Sequence, residues 1–285
     1  MAAQALTASL DRLRKSGFVA LLSYLLLALV GVWLVGNFVQ GPAEFVNVGL
    51  IGLTNGAIYG LVALGYTLVY GILQLINFAH GDVFALSGLV SSTMIISVLG
   101  LERDASVLAI IGGMLVTLLV IMILFASVNA TIEFVAYRRL RRAPRLAALI
   151  TAVGMSFIVQ NVALALYDVS FRSIPSFIPR SEALGLGEIT YSWNKLAALV
   201  ITVPVLILLT WFVRSTRQGK AMRAVAQDPE ASAMMGINVN RTISVTFAIA
   251  GALAGSAGIV YLLQFNMRYD TGFELGLIAF TAAVL

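Results

Sequence analysis

From residue 45 to residue 80 the chain carries no formal charge. As a single helix that stretch would rise roughly 50 Å at 1.5 Å per residue, more than the bilayer's hydrocarbon core of about 30 Å. Such a run is incompatible with a water-facing surface helix. It is crowded with Gly49, Gly52, Gly56, Gly60, Gly65 and Gly71, and reads as a helix over 46–73 followed by an irregular segment at 76–81. Further uncharged runs at 18–39, 83–99, 106–128, 146–167, 196–213 and 243–264 repeat the signal, and a last one begins near Phe273 and is cut short at Leu285. With 60% hydrophobic and only 11% charged residues, the chain has too few charges to cover a soluble domain, in which roughly a quarter of residues are charged. The expectation is an all-α polytopic membrane protein, one transmembrane domain over 1–285 with about eight spans, the last truncated. A signal peptide is the rival for the first run, but its apolar region is shorter and ends at a small-residue cleavage site.

Loop charges test this layout, because cytoplasmic loops are enriched in Lys and Arg. With the N-terminus inside, the inner segments hold Arg12, Arg14, Lys15; Arg138, Arg139, Arg141, Arg142, Arg145; and Arg214, Arg217, Lys220, Arg223, Arg241, which is thirteen of the 18 basic residues. The outer segments hold Arg103, Arg172, Arg180, Lys195 and Arg268. The alternation needs no span added or dropped. The net charge of +5 is therefore a topology signal, and no nucleic-acid partner is expected, since no basic face carries interleaved aromatics. The absence of cysteine and the single histidine exclude disulfides, thiolate chemistry and His-rich metal sites.

Gly52, Gly56 and Gly60 form a small-xxx-small ladder, and Gly251 with Gly255 repeats it. Such ladders let helix backbones approach closely where lipid removes the hydrophobic drive. They serve either plain helix packing or a rocking of helices around a central path. In 76–82, Asn77, His80 and Asp82 with Gly81 put polar groups where a span enters or leaves the membrane. Two accounts stay open: a polar wall of a water-filled path, or an interfacial turn with Asp82 capping the next helix. On the first account Asn55, Tyr66, Thr67, Asn77, His80 and Gly81 are the candidate translocation-path residues. The outer loop 168–194, with Pro175, Pro179, Gly185 and Gly187, suits a short surface helix or a docking platform.

The segment 214–241 is the most informative. Asp228 is a good N-cap, Pro229 suits the first helical position, Glu230 complements the helix dipole and Gly236 suits a left-handed C-terminal cap. The result is a short self-capped helix in a cytoplasmic loop. A helix of two turns has little stability of its own, so its apolar face, Ala231, Met234 and Met235, docks onto something: its own bundle, or a cytoplasmic motor subunit that pushes it as a lever. The chain has no G-x-x-x-x-G-K-[ST] phosphate loop, because Arg214 stands where the first glycine would precede Gly219-Lys220. It should not hydrolyse ATP. The spans as drawn also contain no Asp, Glu, Lys or Arg, which leaves no visible proton relay, although a sodium site of carbonyls and hydroxyls would escape this test.

At three places, residues 65–72 (Gly-Tyr-Thr-Leu-Val-Tyr-Gly-Ile), 76–82 (Ile-Asn-Phe-Ala-His-Gly-Asp) and 219–237 with its Arg-Ala-Val-Ala and Asp-Pro-Glu-Ala runs, the sequence resembles the membrane permease subunits of bacterial ABC importers for branched-chain amino acids. The likeness covers nearly the whole chain after Phe45. It implies an ABC importer permease fold in the bacterial plasma membrane and a heteromeric assembly. The partners would be a second homologous permease, two cytoplasmic ATPases that bind ATP and magnesium, and a periplasmic or lipid-anchored solute-binding protein; no cofactor is expected on this chain. It further implies that 219–237 contains the coupling helix, with Gly219, Arg223, Asp228, Pro229, Glu230, Ala231, Met234 and Gly236 as the ATPase-coupling residues, and that more helix follows Leu285. Leucine, isoleucine and valine are the expected solutes. Related permeases that import urea or short amides, and an ion-coupled secondary carrier, are the alternatives.

Overall fold

A computed structural model of the chain describes residues 2–73, 77–102, 105–141, 143–175, 182–186 and 189–284. Ile76, Arg103, Arg142, Pro179, Arg180 and Gly187 lie outside the described residues. The described chain is helical apart from one small sheet. Its helices are α1 (Ala2–Gln40), α2 (Pro42–Leu73), α3 (Ala79–Thr93), α4 (Val107–Ile132), α5 (Arg145–Tyr167), α6 (Trp193–Ser215), α7 (Arg217–Gln227), α8 (Pro229–Met234), α9 (Val239–Leu262) and α10 (Thr271–Val284). Seven helices are long and apolar enough to cross a membrane, and Thr271–Ala283 is a shorter apolar helix.

Local chemistry sets the helix starts. Ser106, Thr216, Asp228 and Asn238 each turn a side-chain oxygen onto a free backbone N–H of the helix that follows, which satisfies donors the helix itself cannot pair. Two helices lose α-helical register at one end. Met94–Val98 continues α3 as a π-helical turn, and Glu133–Tyr137 continues α4 as another before the 3₁₀ turn Arg138–Leu140.

The chain divides into two compact units, residues 1–50 with 184–190, and 51–183 with 191–285. In the first, the large side chains of α1 between Leu21 and Val39 are exposed, as suits a helix solvated by lipid. In the second, α3 and α9 form the centre and are the most deeply buried of the spans. The α4–α9 and α3–α9 interfaces are the most extensive. Phe84, Phe125, Phe247, Leu89, Ile121 and Ile259 fill the core with almost no exposure. Close approach depends on missing side chains: a Cβ on Gly258 would meet the Phe84 carbonyl oxygen at 3.0 Å, and one on Gly81 would overlap the Gly272 carbonyl.

Three expectations need correction. The span drawn as 83–99 begins at Ala79, so Asp82 lies within helical structure. The N-cap position is Phe78, without a side-chain bond, and Asp82 is buried and accepts from the Ser156 hydroxyl of α5. It therefore does not cap the helix. The span drawn as 106–128 runs on through Glu133, a second buried acid, so the helices are not free of carboxylates. Within the loop 168–194, the described residues 168–175, 182–186 and 189–192 form no helix, and 193–194 already belong to α6. Glu182–Leu186 and Ile189–Ser192 pair as a two-stranded sheet, and Arg172 exchanges both backbone hydrogen bonds with Met267, each 2.8 Å.

Candidate functional site

The segment from Thr216 to Asn238 folds as its residue types dictate. The Thr216 hydroxyl accepts from the Gly219 N–H at 3.0 Å, and Thr216 is extended at φ −85°, so α7 turns sharply away from α6. Gly219 sits in the crook: a Cβ there would overlap the Phe212 and Val213 carbonyls. Arg223 lies one turn later, and its guanidinium donates to the Val213 carbonyl, with a long contact to that of Arg214 at 3.5 Å. It thus satisfies carbonyls at the end of α6 that the helix leaves free. Gly219 and Arg223 accordingly fix α7 beneath α6, and Met222 and Val225 bury its inner face.

The short helix α8 follows. Asp228 Oδ1 accepts from the N–H groups of Glu230 and Ala231 at 2.9 and 3.0 Å, Pro229 occupies the first position, and Gly236 takes φ +82°, a conformation in which glycine meets no Cβ penalty. Every local feature expected of a self-capped helix is present. Its apolar face does not lie on the chain's own helices. Met234 is 88% and Met235 83% exposed, and Ala231 is exposed, while Ser232 alone is buried. Two thioether side chains held in the open on a capped turn form an adaptable apolar knob. A cleft of about 190 Å³ flanks it, bordered by Ala224, Gln227, Ala231 and Met235.

The six candidate path residues are not gathered along one opening. Tyr66, Asn77, His80 and Gly81 are packed inside the second unit. The Tyr66 hydroxyl accepts from the Gly81 N–H at 3.1 Å, and the Tyr66 and His80 rings meet edge-on at 4.7 Å. His80 itself fills the space over Gly65. The Tyr137 hydroxyl donates to Asn77 Oδ1 at 2.8 Å, while Asn77 Nδ2 and Asp82 Oδ1 are buried without a partner among the described residues. Asn55 is half-buried, and Thr67 is exposed, its hydroxyl turned back onto the Ala63 carbonyl at 2.8 Å.

The two glycine ladders also part company. Gly251 and Gly255 press α9 onto α4: a Cβ at Gly251 would overlap the Phe125 carbonyl, and one at Gly255 would stand 3.1 Å from that of Ile121. Gly52, Gly56 and Gly60 have nothing among the described residues within 4 Å of where a Cβ would be, so their ladder seats no described helix. Sequence reasoning missed the glycines that bring α3 against α9 and α10, namely Gly88, Gly258, Gly272 and Gly276, and missed Glu133. The one available signal for the latter was an acid placed between an apolar run and five arginines.

Residues 49–285 match the family model for the permease component of branched-chain amino acid transport systems. BraD, the permease protein of the high-affinity branched-chain amino acid transport system of Pseudomonas aeruginosa, is 36% identical over 238 residues, 82% of this chain and 76% of that one. The corresponding permease protein LivH of Salmonella typhimurium is 37% identical over 239 residues, with the same coverage of 82% and 76%. The ribose import permease RbsC of Escherichia coli is 24% identical over 238 residues, 80% of this chain and 65% of that one. No solved structure matches the chain.

Proposed function

This chain belongs to the family of branched-chain amino acid transport permeases, and we propose that it is the subunit through which an ATP-driven importer passes leucine, isoleucine and valine into the bacterial cytoplasm. The solutes come from the relatives, whose own names specify branched-chain amino acids. The bias of basic residues among the loops supports an N-terminus in the cytoplasm, which puts α7 and α8 on the cytoplasmic side.

The observation that carries the mechanism is α8: a capped turn with exposed Met234 and Met235, attached through α7 to the end of α6 and joined to α9 by the short bend 235–238. A helix this short does not hold its shape unaided. Its caps pre-form it, and its apolar knob suits a groove on a cytoplasmic ATPase. On this reading two ATPases bind ATP and magnesium and close. Their motion displaces α8, α9 carries it into the membrane, and a solute delivered by a binding protein at the outer loops passes between this chain and a second permease. The chain supplies no catalytic group to hydrolysis; it receives movement.

Two substitutions test the assignment. Ala231→Pro would break α8, and Glu230→Lys would place a positive charge at its N-terminal dipole and reverse the surface it offers. Both should abolish leucine uptake in cells while membrane insertion, followed by a fluorescent fusion, stays normal. Uptake that survives both changes would overturn the assignment.

A further inference from the structure

Glu133 is completely buried at the point where α4 gives up its α-helical register. Its carboxylate is gripped from three sides. Arg141 donates to Oε1. Arg138 Nη2 donates to Oε2 at 3.1 Å, and the Ser244 hydroxyl donates to the same oxygen at 2.6 Å. The arginines are also held from α9: Arg138 Nη2 donates to Ser244 Oγ at 2.6 Å, and Arg141 Nη1 donates to Asn240 Oδ1. Burial lowers the Arg141 pKa, and the Glu133 carboxylate beside it opposes that shift. Two of the five arginines that read as a topology signal are thus internal ligands of one acid.

The position of this cluster gives it a task. Asn240 and Ser244 lie in the first turns of α9, separated from α8 only by the bend 235–238. On the C-terminal side of α8, these turns are the first part of the membrane-crossing helices that a displacement reaches. Beyond them α9 is seated on α4 along its length, by the Asn129 side chain donating to the Phe247 carbonyl at 2.7 Å and by the glycine contacts at Gly251 and Gly255. The π-helical turn that carries Glu133 ends at Tyr137, whose ring packs on Phe247 of α9 at 5.5 Å and whose hydroxyl holds Asn77 at the approach to α3. A buried ion pair adds little net stability compared with apolar packing, and its best-attested use is to specify register. π-helical turns recur at functional positions.

We propose that Glu133 is the positioning residue that couples this importer: through Arg138, Arg141, Ser244 and Asn240 it locks the end of α4 to the first turns of α9, so that a displacement of α8 moves α4 and α9 as one rigid pair. Without the lock, α9 bends at its first turns and the ATPases cycle without moving the path. This rests on α8 being the element that the ATPases engage.

The test uses the complete importer, with its second permease, ATPases and binding protein, in proteoliposomes, with ATP hydrolysis and labelled leucine uptake measured in the same vesicles. Glu133→Gln and, separately, Ser244→Ala should leave assembly and leucine-stimulated hydrolysis within twofold of the unaltered complex. Uptake should fall at least tenfold for Glu133→Gln and several-fold for Ser244→Ala, so that more ATP is consumed per leucine. Arg139→Gln, which removes the same kind of charge from an exposed side chain outside the cluster, should leave that ratio unchanged. An unchanged ratio in both cluster variants, or hydrolysis and uptake falling in parallel, would overturn the proposal. If Glu133→Gln fails to assemble, the ratio for Ser244→Ala decides by itself. A Met234→Cys variant cross-linked to the ATPase separates the two claims. No cross-link would remove the reading of α8, whereas a cross-link with an unaltered ATP-to-leucine ratio would remove only the role of Glu133.

Discussion

The seam between α4 and α9 and the outward face of α2 carry the same sequence signature and meet opposite environments. In the seam, Gly251 leaves no room for a methyl group and Gly255 only a tight fit, and Asn129 and Glu133 reach across the interface. On α2, Gly52, Gly56 and Gly60 lie open at the same spacing. A small-xxx-small ladder therefore marks where a backbone is able to come close, not whether this chain supplies the partner. In lipid, where apolar side chains gain nothing by leaving the solvent for one another's company, the occupied seam is held by contact and hydrogen bonding, and an empty face carries no penalty that the sequence would have to answer.

The sharpest way to break the contrast is Glu133→Ala. It strands two guanidinium groups and should lower the stability of the purified chain by about 3 kcal/mol, near the lower end for a disrupted buried pair because Arg138 is a third exposed; thermal unfolding in detergent reads it directly. Next comes Gly251→Ala. Its methyl group would overlap the Phe125 carbonyl, and it should lower stability by roughly 1–3 kcal/mol, as overpacking does. The smallest effect belongs to the other face. Gly52→Ala and Gly56→Ala should each shift stability by less than about 0.5 kcal/mol, the usual size at an unpacked surface position. A destabilisation there as large as that of Gly251→Ala would mean that the two ladders are equivalent after all. A transport defect with normal stability would mean that another chain covers α2.

What was legible in the sequence follows the range of the physics. Uncharged runs of about twenty residues located the spans, because solvation by lipid is a property of a segment taken alone. The caps of α8 were equally readable, since Asp228, Pro229 and Gly236 act on backbone within a few residues. Asp82 and Glu133 escaped for the reverse reason. The uncharged runs end short of both acids, at 83 and 128, and although Arg138 and Arg141 stand near Glu133 in the chain, the hydroxyls that bond the two carboxylates from other helices, Ser156 and Ser244, lie at sequence separations of 74 and 111. Gly219 and Arg223 brace α7 against the end of α6, a task set by the bend at Thr216 that no local pattern announces. The hydroxyl of Thr67, one of the expected path residues, bonds the Ala63 carbonyl of its own helix, as a hydroxyl in a helix can.

The paired backbone bonds between Arg172 and Met267 tie the stretch after α5 to the turn between α9 and α10. Met267 is itself buried against Gly88 of α3. The two connections at that end therefore share one register. An insertion on either side of the bridge must be absorbed within its own connection, or Met267 is drawn out of its socket; an affinity tag placed in 168–175 would strain the α3 contact even though it is remote in sequence.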